Sequence, residues 1–470
     1  MKNTKIICTI GPNSNNLDIL KKMYKAGMNA IRINTAHESF ETYSSILKKT
    51  RKAGNITTMI DIKGPELRIR CNKSYTFKKN SDIIFSNSKN NITFNYDIIN
   101  DLKKGDLILI EDGKYKLKVK TKKKGIIIAT SSENCIIEPN KNVHIPDKKI
   151  NLPSLTKKDI KAIKFCIKEQ IDYIALSFCR NKNDIINLRN KLGNSKIKII
   201  AKIENNEGIE NILEIIEYAD GIMVARGDLG VVLSPEKVPL VQKMLIKECN
   251  EQGKLVIVAT QMLETMIHSP TPTRAEISDI ANAILDGADC LMLSAETAIG
   301  KYPIKAVEYM NKVANTIEPA VSERDPIKNS QVNVQEAIAH CVEDLCDKIN
   351  FTKVVCLTHQ GHSAIRVSRF RINKPIIAVT SSKMLERQLN LYYGITATTT
   401  KTNFEDPSTT ELIHELYQRN ILTKNDIIIM TAGLRTINKS ISNTNTLLVR
   451  NVEQVLKYKE KYRKKRRVRL

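Results

Sequence analysis

The sequence predicts an α/β protein: a closed (β/α)8 TIM barrel with an inserted small β-barrel lid domain and a C-terminal α/β domain. Three observations lead there. Eight short β-branched runs alternate with helix-period stretches, the signature of parallel βα units. One interval, 69–149, alternates Ile, Leu and Val with Lys, Asp and Thr, as antiparallel strands with one wet face do. Beyond about residue 330 strands and helical segments alternate once more. A length of 470 residues suits about three domains. The expected division is 1–68 and 150–330 for the barrel, 69–149 for the insert, and 331–470 for the last domain with a basic tail.

The barrel strands are expected at 5–9, 30–34, 57–61, 173–177, 198–203, 221–224, 255–259 and 290–293. Between them, Leu17, Leu20 and Met23 share a helical face that stops at Gly27. Thr156 with Asp159 forms a capping-box pattern ahead of Ile160, Ile163 and Ile167. Ser234-Pro235-Glu236 opens a helix carrying Val238, Val241 and Leu245 and closing near Gly253. Gly105, Gly113 and Gly125 punctuate the insert, and strands of the last domain are expected at 354–358, 375–380 and 426–431.

Composition removes several function classes. No apolar run approaches the ~18 residues that span a bilayer, and the first residues lack the apolar core and cleavage site of a signal peptide. A cytoplasmic protein without a membrane segment is expected. The ten cysteines include no Cys-x-x-Cys pair, which argues against a zinc cage and fits a reducing compartment. The net charge of +25 accompanies abundant Lys, Asn and Ile and no Trp, a pattern that A/T-biased codons produce, so most of it reads as solvated surface. The exception is 459–470, where basic residues crowd together. Weak, sequence-independent attachment to nucleic acid by counterion release is the most expected there.

In a β/α barrel the loops after the strands converge on one rim, so polar residues at strand ends share a mouth. Here they are Arg32 and Asn34; Asp61, Lys63, Glu66 and Arg68; Ser177 and Arg180; Lys202 and Glu204; Arg226 and Asp228; Thr260 and Gln261; Ser294 and Glu296. Strand alternation points Lys202 and Glu204 inward and Ile203 outward. Glu204 and Asp228 are hard oxygen ligands on adjacent strands, a sparse pair of the kind Mg²⁺ takes. A buried ion pair of Lys202 with Glu204 or Asp228 is the purely structural alternative, although burying ions is rarely a good route to stability. Gly227 lets backbone N–H groups at a helix start approach an anion. With cations at Arg32 and Lys202, these residues describe a pocket for a phosphorylated carboxylate and phosphoryl-transfer chemistry. The chain has no Gly-x-x-x-x-Gly-Lys-Ser/Thr loop and no His-Arg-Asp kinase loop, so a nucleotide would be held by the rim and the insert.

These residues resemble the pyruvate kinase family over essentially the whole chain. The resemblance is carried by Lys5 through Pro12, Asp61 through Arg68, Ile197 through Ile209, Met223 through Gly230, Thr260-Gln261-Met262 and Pro272 through Glu276. It implies transfer of the phosphoryl group of phosphoenolpyruvate to ADP, giving pyruvate and ATP, the last step of glycolysis. It further implies Mg²⁺ (or Mn²⁺) and K⁺ as cofactors, a mobile lid, a homotetramer, and a sugar-phosphate or nucleotide activator. Carried over residue by residue, Lys202 would stabilise the transferring phosphoryl, Arg32 would contact the phosphate, and Glu204 and Asp228 would hold Mg²⁺. The N–H groups of Gly227 and Asp228 would hold the substrate carboxylate. Thr260 would orient a water or proton relay to the enolate carbon, since its own hydroxyl titrates far from neutrality. Asn34, His37, Arg68 and, on the lid, Lys141 would face ADP, with an ordinary surface role equally open for His37. Asn34, Asp61 and the Ile62 carbonyl would hold K⁺, with Glu66 matching the potassium-dependent form. Glu296 is expected to brace the cations.

Three departures from the family pattern stand out. Asn34-Thr35-Ala36-His37 lacks the serine that would be a potassium ligand, and Thr35 cannot replace it because neighbours in an extended segment point oppositely. Weakened potassium activation is expected. In the lid, Lys141-Asn142-Val143-His144-Ile145-Pro146 has lost a glycine. The effector loop is faint in Thr380-Ser381-Ser382-Lys383, with Gly433 and Asn443 to Thr446 nearby; a plain Ser/Thr turn is the alternative. A different Mg²⁺-enolate barrel, a lyase or aldolase acting on pyruvate, is the alternative enzyme, but it has no use for the insert or the last domain.

Overall fold

The computed structural model describes residues 2–36, 38–87, 91–123, 125–146, 148–321, 333–401, 408–433 and 444–458. His37, Asn443 and the basic tail 459–470 lie outside them. Strands Lys5–Thr9, Ala30–Asn34, Thr57–Ile62, Tyr173–Leu176, Lys198–Ile203, Gly221–Ala225, Leu255–Ala259 and Cys290–Leu293 close one parallel barrel in sequence order. Every expected barrel run is a strand. The first closes on the eighth through Lys5 opposite Cys290.

Local chemistry sets the helices between them. Helix Leu17–Ala26 starts under the Asn16 side chain, which accepts from the amides of Asp18 and Ile19, and stops at Gly27, whose φ of 118° suits only glycine well. Helix Lys157–Glu169 carries both halves of the Thr156/Asp159 capping box. After Ser234 a 3-10 turn, Pro235–Lys237, leads into helix Val238–Glu251, which ends just before Gly253.

Alternation along the strands sorts side chains into two cores. Outward residues such as Ile31, Ile33, Ile60 and Ile203 are buried with Leu20, Met23 and Ile163 of the surrounding helices. Inward residues near the strand starts, Ile7, Met59, Ile200, Met223 and Ile257, share one cluster with Val354, Ile376 and Leu389 of the C-terminal domain. At ~1.5–3 kcal/mol per fully buried apolar side chain, this packing seats the last domain firmly on the barrel floor. The same inward faces turn polar near the strand ends, and this places the site at the opposite mouth.

The insert is antiparallel, as expected, and its described residues pair as one sheet and two ribbons. Strands Asp82–Ser86, Leu107–Ile110, Tyr115–Lys123, Ile126–Ser131 and Val143–His144 form one sheet. Two ribbons, Tyr75–Phe77 with Cys135–Ile137 and Ile69–Arg70 with Thr93–Phe94, pack beside it around a shared core that includes Phe85, Phe94 and Leu117. The ribbon strands are two or three residues long.

The C-terminal sheet has the strand order Ile395–Thr399, Ile376–Thr380, Lys353–Leu357, Ile427–Ala432 and Thr446–Asn451, all parallel except the last. The sequence pattern predicts the three inner strands and neither edge strand. Among the described residues no helix is long and apolar enough to cross a membrane.

Candidate active site

At the mouth of the barrel the third strand supplies the organising carboxylate. Asp61, inward by alternation and 2% exposed, accepts from Arg32 Nη2 at 2.6 Å and Nε at 2.9 Å through one oxygen. Its other oxygen accepts from Ser177 Oγ at 3.1 Å and Lys202 Nζ at 3.4 Å. Burial opposes its charge, but Lys202 and Arg32 outweigh burial and hold this carboxyl below the ordinary aspartate value. Arg32 Nη1 also reaches Thr9 Oγ1 at 3.2 Å. The guanidinium is thus aimed by two strands before any substrate contact is made.

Lys202 is the centre of the cluster. Its ammonium donates to Ser177 Oγ at 2.9 Å and pairs with Glu204 Oε1 at 2.7 Å. Burial works against the charge, but Asp61 and Glu204 prevail and raise the pKa above that of ordinary lysine. The group is a fixed cation across the physiological range. Glu204, 2% exposed, accepts the Phe178 amide at 2.6 Å through its second oxygen. Phe178 itself has φ of 55°, a strained arrangement for an aromatic residue.

Asp228 sits in the first turn of the short helix Arg226–Val232, after the sixth strand. Burial and then the adjoining Glu204, with which it shares a hydrogen bond, push its carboxyl up to about 7. Two carboxyl groups crowded in this way call for a cation between them, so the donor set fits a divalent ion. Among the described residues no group of three or more His, Cys, Asp and Glu side chains converges, so such an ion would rest on this pair, with other positions left to water or substrate oxygens.

Thr260 follows the seventh strand with φ of 70°, and Gln261 continues at 53°. A β-branched residue in the left-handed region costs of order 1–3 kcal/mol and persists only where the surroundings impose it. Arg226 imposes it: its guanidinium donates to the carbonyls of Thr260 at 2.6 Å and Gln261 at 3.1 Å and pairs with Asp279 at 2.7 Å. Thr260 Oγ1 donates to the Ala259 carbonyl at 2.6 Å and accepts the Gly227 amide at 2.8 Å. The Gly227 N–H is therefore directed at the Thr260 hydroxyl. Glu296 also departs from expectation: it accepts the amides of Ser294 at 2.6 Å and Leu263 at 3.1 Å, so it ties two strand ends together rather than bracing the cations.

The remaining expected residues are more dispersed. Asn34 Oδ1 accepts the Ala36 amide at 3.0 Å. Thr35, 1% exposed, donates its hydroxyl to the Asp61 carbonyl at 2.9 Å, which commits it away from a missing serine's place. Arg68 is forked onto Glu66 at 2.7 Å. Lys141 is held within the lid by Glu111 at 2.5 Å and Glu138 at 3.1 Å, so its ammonium is not brought to the Lys202 cluster. A cleft of about 270 Å³ lies between lid residues such as His144 and rim residues such as Glu66, Phe178 and Asn205; neither Lys202 nor Arg32 lines it. Three groups to which the sequence pattern assigns no role, Thr9, Ser177 and the Phe178 amide, also hold the cluster together. The two hydroxyls stood at strand ends and could have been found there; the amide has no sequence signal.

Two family models match the chain, the pyruvate kinase barrel domain over residues 1–307 and the pyruvate kinase alpha/beta domain over 336–450. The chain belongs to the pyruvate kinase family. It is 40% identical over 467 residues to the pyruvate kinase of Staphylococcus haemolyticus, covering 94% of this chain and 80% of that protein. The corresponding figures are 39% over 459 residues, 92% and 78%, for Bacillus licheniformis, and 38% over 478 residues, 97% and 81%, for Geobacillus stearothermophilus. The enzyme class is that of the family, and the lyase or aldolase alternative falls, because the second model accounts for the C-terminal domain such an enzyme would not need.

The part of that domain resembling the pyruvate kinase effector loop follows strand Ile376–Thr380. Thr380 Oγ1 accepts the Ser382 amide at 3.3 Å, and Ser382 Oγ caps helix Lys383–Leu389 through Leu385 at 3.3 Å. Gly433 lies at the same end of the parallel sheet, just past strand Ile427–Ala432.

Proposed function

We propose that this chain performs the pyruvate kinase reaction at the Lys202 cluster, moving the phosphoryl group of phosphoenolpyruvate to ADP. The observation that carries the assignment is the buried Lys202 ammonium, 2.7 Å from Glu204 and hydrogen-bonded to Asp61. Desolvating such ions costs several kcal/mol each, a poor bargain for stability and a good one for catalysis. In phosphoryl transfer the protein's work is positioning and charge stabilisation. Lys202 neutralises charge on the migrating phosphoryl, and Arg32, aimed by Asp61 and Thr9, binds the phosphate. The amides of Gly227 and Asp228 face the substrate carboxylate, with the Gly227 amide exchanging Thr260 Oγ1 for it. The freed Thr260 hydroxyl orients the water or relay that protonates the enolate carbon.

Glu204 and Asp228 would hold Mg²⁺ or Mn²⁺; when bound, this ion supplies positive charge to the phosphoryl and enolate oxygens. Asn34, Asp61 and the Ile62 carbonyl would hold K⁺, at a site weakened by Ala36. Asn34, His37, Arg68 and Lys141 are assigned to the nucleotide, and Lys141 reaches it by leaving Glu111 as the lid closes. The residue ranges 1–68, 69–149, 150–330 and 331–470 remain part of this proposal. So do a homotetramer, a sugar-phosphate or nucleotide activator at the Thr380–Ser382 turn, and at most weak nucleic-acid attachment by the tail. The ten free cysteines support a reducing, cytoplasmic setting.

A coupled lactate dehydrogenase assay tests the reaction. Pyruvate should form only with ADP present; pyruvate production without ADP would overturn the assignment.

A further inference from the structure

A second cavity, of about 550 Å³, opens at the other end of the barrel, where the strand starts meet the C-terminal domain. Its size is that of a small-ligand site. The barrel contributes Lys198 and Lys254, and helix His362–Arg369 of the last domain contributes Arg366 and Arg369. Four carboxylates, Asp220, Glu248, Glu251 and Glu336, share the lining with these four cations, and Arg366 pairs with Glu336 at 3.5 Å, yet two donors lack acceptors. Among the described residues no acceptor lies within hydrogen-bond distance of the Lys198 ammonium, which rests 5.5 Å over the Tyr392 ring. Arg369 is 7% exposed; its Nη1 donates to the Glu251 carbonyl at 3.0 Å and its Nη2 to Glu336, but its buried Nε has no partner. Asp220, the carboxylate beside Lys198 and Lys254, already accepts from Arg189 at 2.5 Å and from the Ile199 amide at 2.8 Å. Crowding shows at His362 too, where desolvation and then Arg366, Lys198 and Lys254 hold the imidazole below its ordinary value.

We propose that this cavity binds a small phosphate monoester, its phosphate gripped by Lys198, Arg366 and the Arg369 Nε. The volume exceeds what a bare phosphate fills, and Glu248 and Glu251 on the lining accept from hydroxyl groups of an organic remainder. This site is distinct from the Thr380–Ser382 turn, whose residues are absent from its lining.

The position gives the ligand leverage. Lys198 begins the strand that carries Lys202, about 13 Å away at ~3.3 Å per residue. Lys254 immediately precedes the strand that leads to Thr260. A molecule held by both domains would therefore bias the strands that bear the catalytic side chains. That regulatory consequence rests on the activity proposed above, so binding itself is the primary readout, and its failure would leave the activity assignment untouched.

Isothermal titration of the full chain with glycerol 3-phosphate tests the site. A binding component is expected that weakens ~10-fold or more in Lys198→Met and in Arg366→Gln, as loss of a charge-assisted hydrogen bond predicts. It should persist in Lys198→Arg, which keeps the charge, in Ser382→Ala and in Lys202→Met. Inorganic phosphate should occupy the same component more weakly. No binding at millimolar ligand, or unchanged affinity in both Lys198→Met and Arg366→Gln, would overturn the site. Equal affinity for inorganic phosphate would overturn the monoester assignment.

Discussion

The Gly227 amide donates to Thr260 Oγ1 across 2.8 Å, joining the helix after the sixth strand to the strained turn after the seventh. The amide proposed to hold the substrate carboxylate and the hydroxyl proposed for the proton relay are thus held against each other by neighbouring strands. On the proposed assignment, a substrate carboxylate that took the amide would free the hydroxyl, and the two functions would engage together.

Removing that hydroxyl should therefore cost turnover more than substrate affinity. Thr260→Ala is expected to lower kcat by roughly 10²-fold, the low end for a positioned proton-transfer group, while Thr260→Ser recovers most of it. Steady-state kinetics of both variants decide the matter; equal losses in the two would assign the residue to backbone shape alone.

Potassium activation should respond to Ala36. The Thr35 hydroxyl is tied to the Asp61 carbonyl at 2.9 Å, and both Asp61 oxygens already face Arg32, Ser177 or Lys202. Ala36→Ser adds an oxygen beside Asn34 and should lower the potassium concentration at half-activation. An unchanged value would remove the argument for a weakened site.

Glu296 offers a stability test away from the chemistry. Truncation to Ala strands the amides of Ser294 and Leu263, each worth about 1–3 kcal/mol when left unsatisfied in the interior. Glu296→Ala should melt well below the parent in calorimetry, and Glu296→Gln, which keeps an acceptor, should lose less. A silent Glu296→Ala would show that these amides find other partners.

Acid should loosen the lid at Asp106. This carboxylate accepts the Lys103 amide at 2.8 Å and pairs with Lys148 at 2.5 Å. Burial opposes its charge, but Lys148 outweighs burial and lowers the pKa below the usual 3.8. A folded pKa below the unfolded one means the contribution is fully present above pH 3.8 and disappears as pH falls through the lower, folded value. Hydrogen exchange in the insert should accelerate in that acid window in the parent, and Asp106→Asn should show no such step. The same step in the variant would point to a different carboxylate.

The barrel was readable because strand alternation and helix caps are local: Gly27, Thr156 and Asp159 announce their helices within four residues. Lys202 and Glu204 were placed inward by the same two-residue period. What could not be read depends on contacts distant in sequence or on backbone conformation. The sequence suggests Asp61 only as a potassium ligand; its bonds to Arg32 and Lys202 also make it the organiser of the cluster, a relation spanning 141 residues to Lys202. The positive φ of Thr260 and the Phe178 amide on Glu204 leave no mark in residue type. Glu296 looked like a counter-ion because it followed a strand end, yet its carboxylate was needed by two orphaned amides. The edge strand Ile395–Thr399 is rich in threonine, which blurs an apolar pattern, and the insert's ribbons were too short to reveal how its sheets divide.

The most direct measurement is pyruvate formation by Lys202→Met with melting followed in parallel. The account predicts a chain that stays folded and loses ~10³-fold or more in kcat, the scale set by a cation on a transferring phosphoryl. A folded Lys202→Met enzyme working within about tenfold of the parent would contradict it.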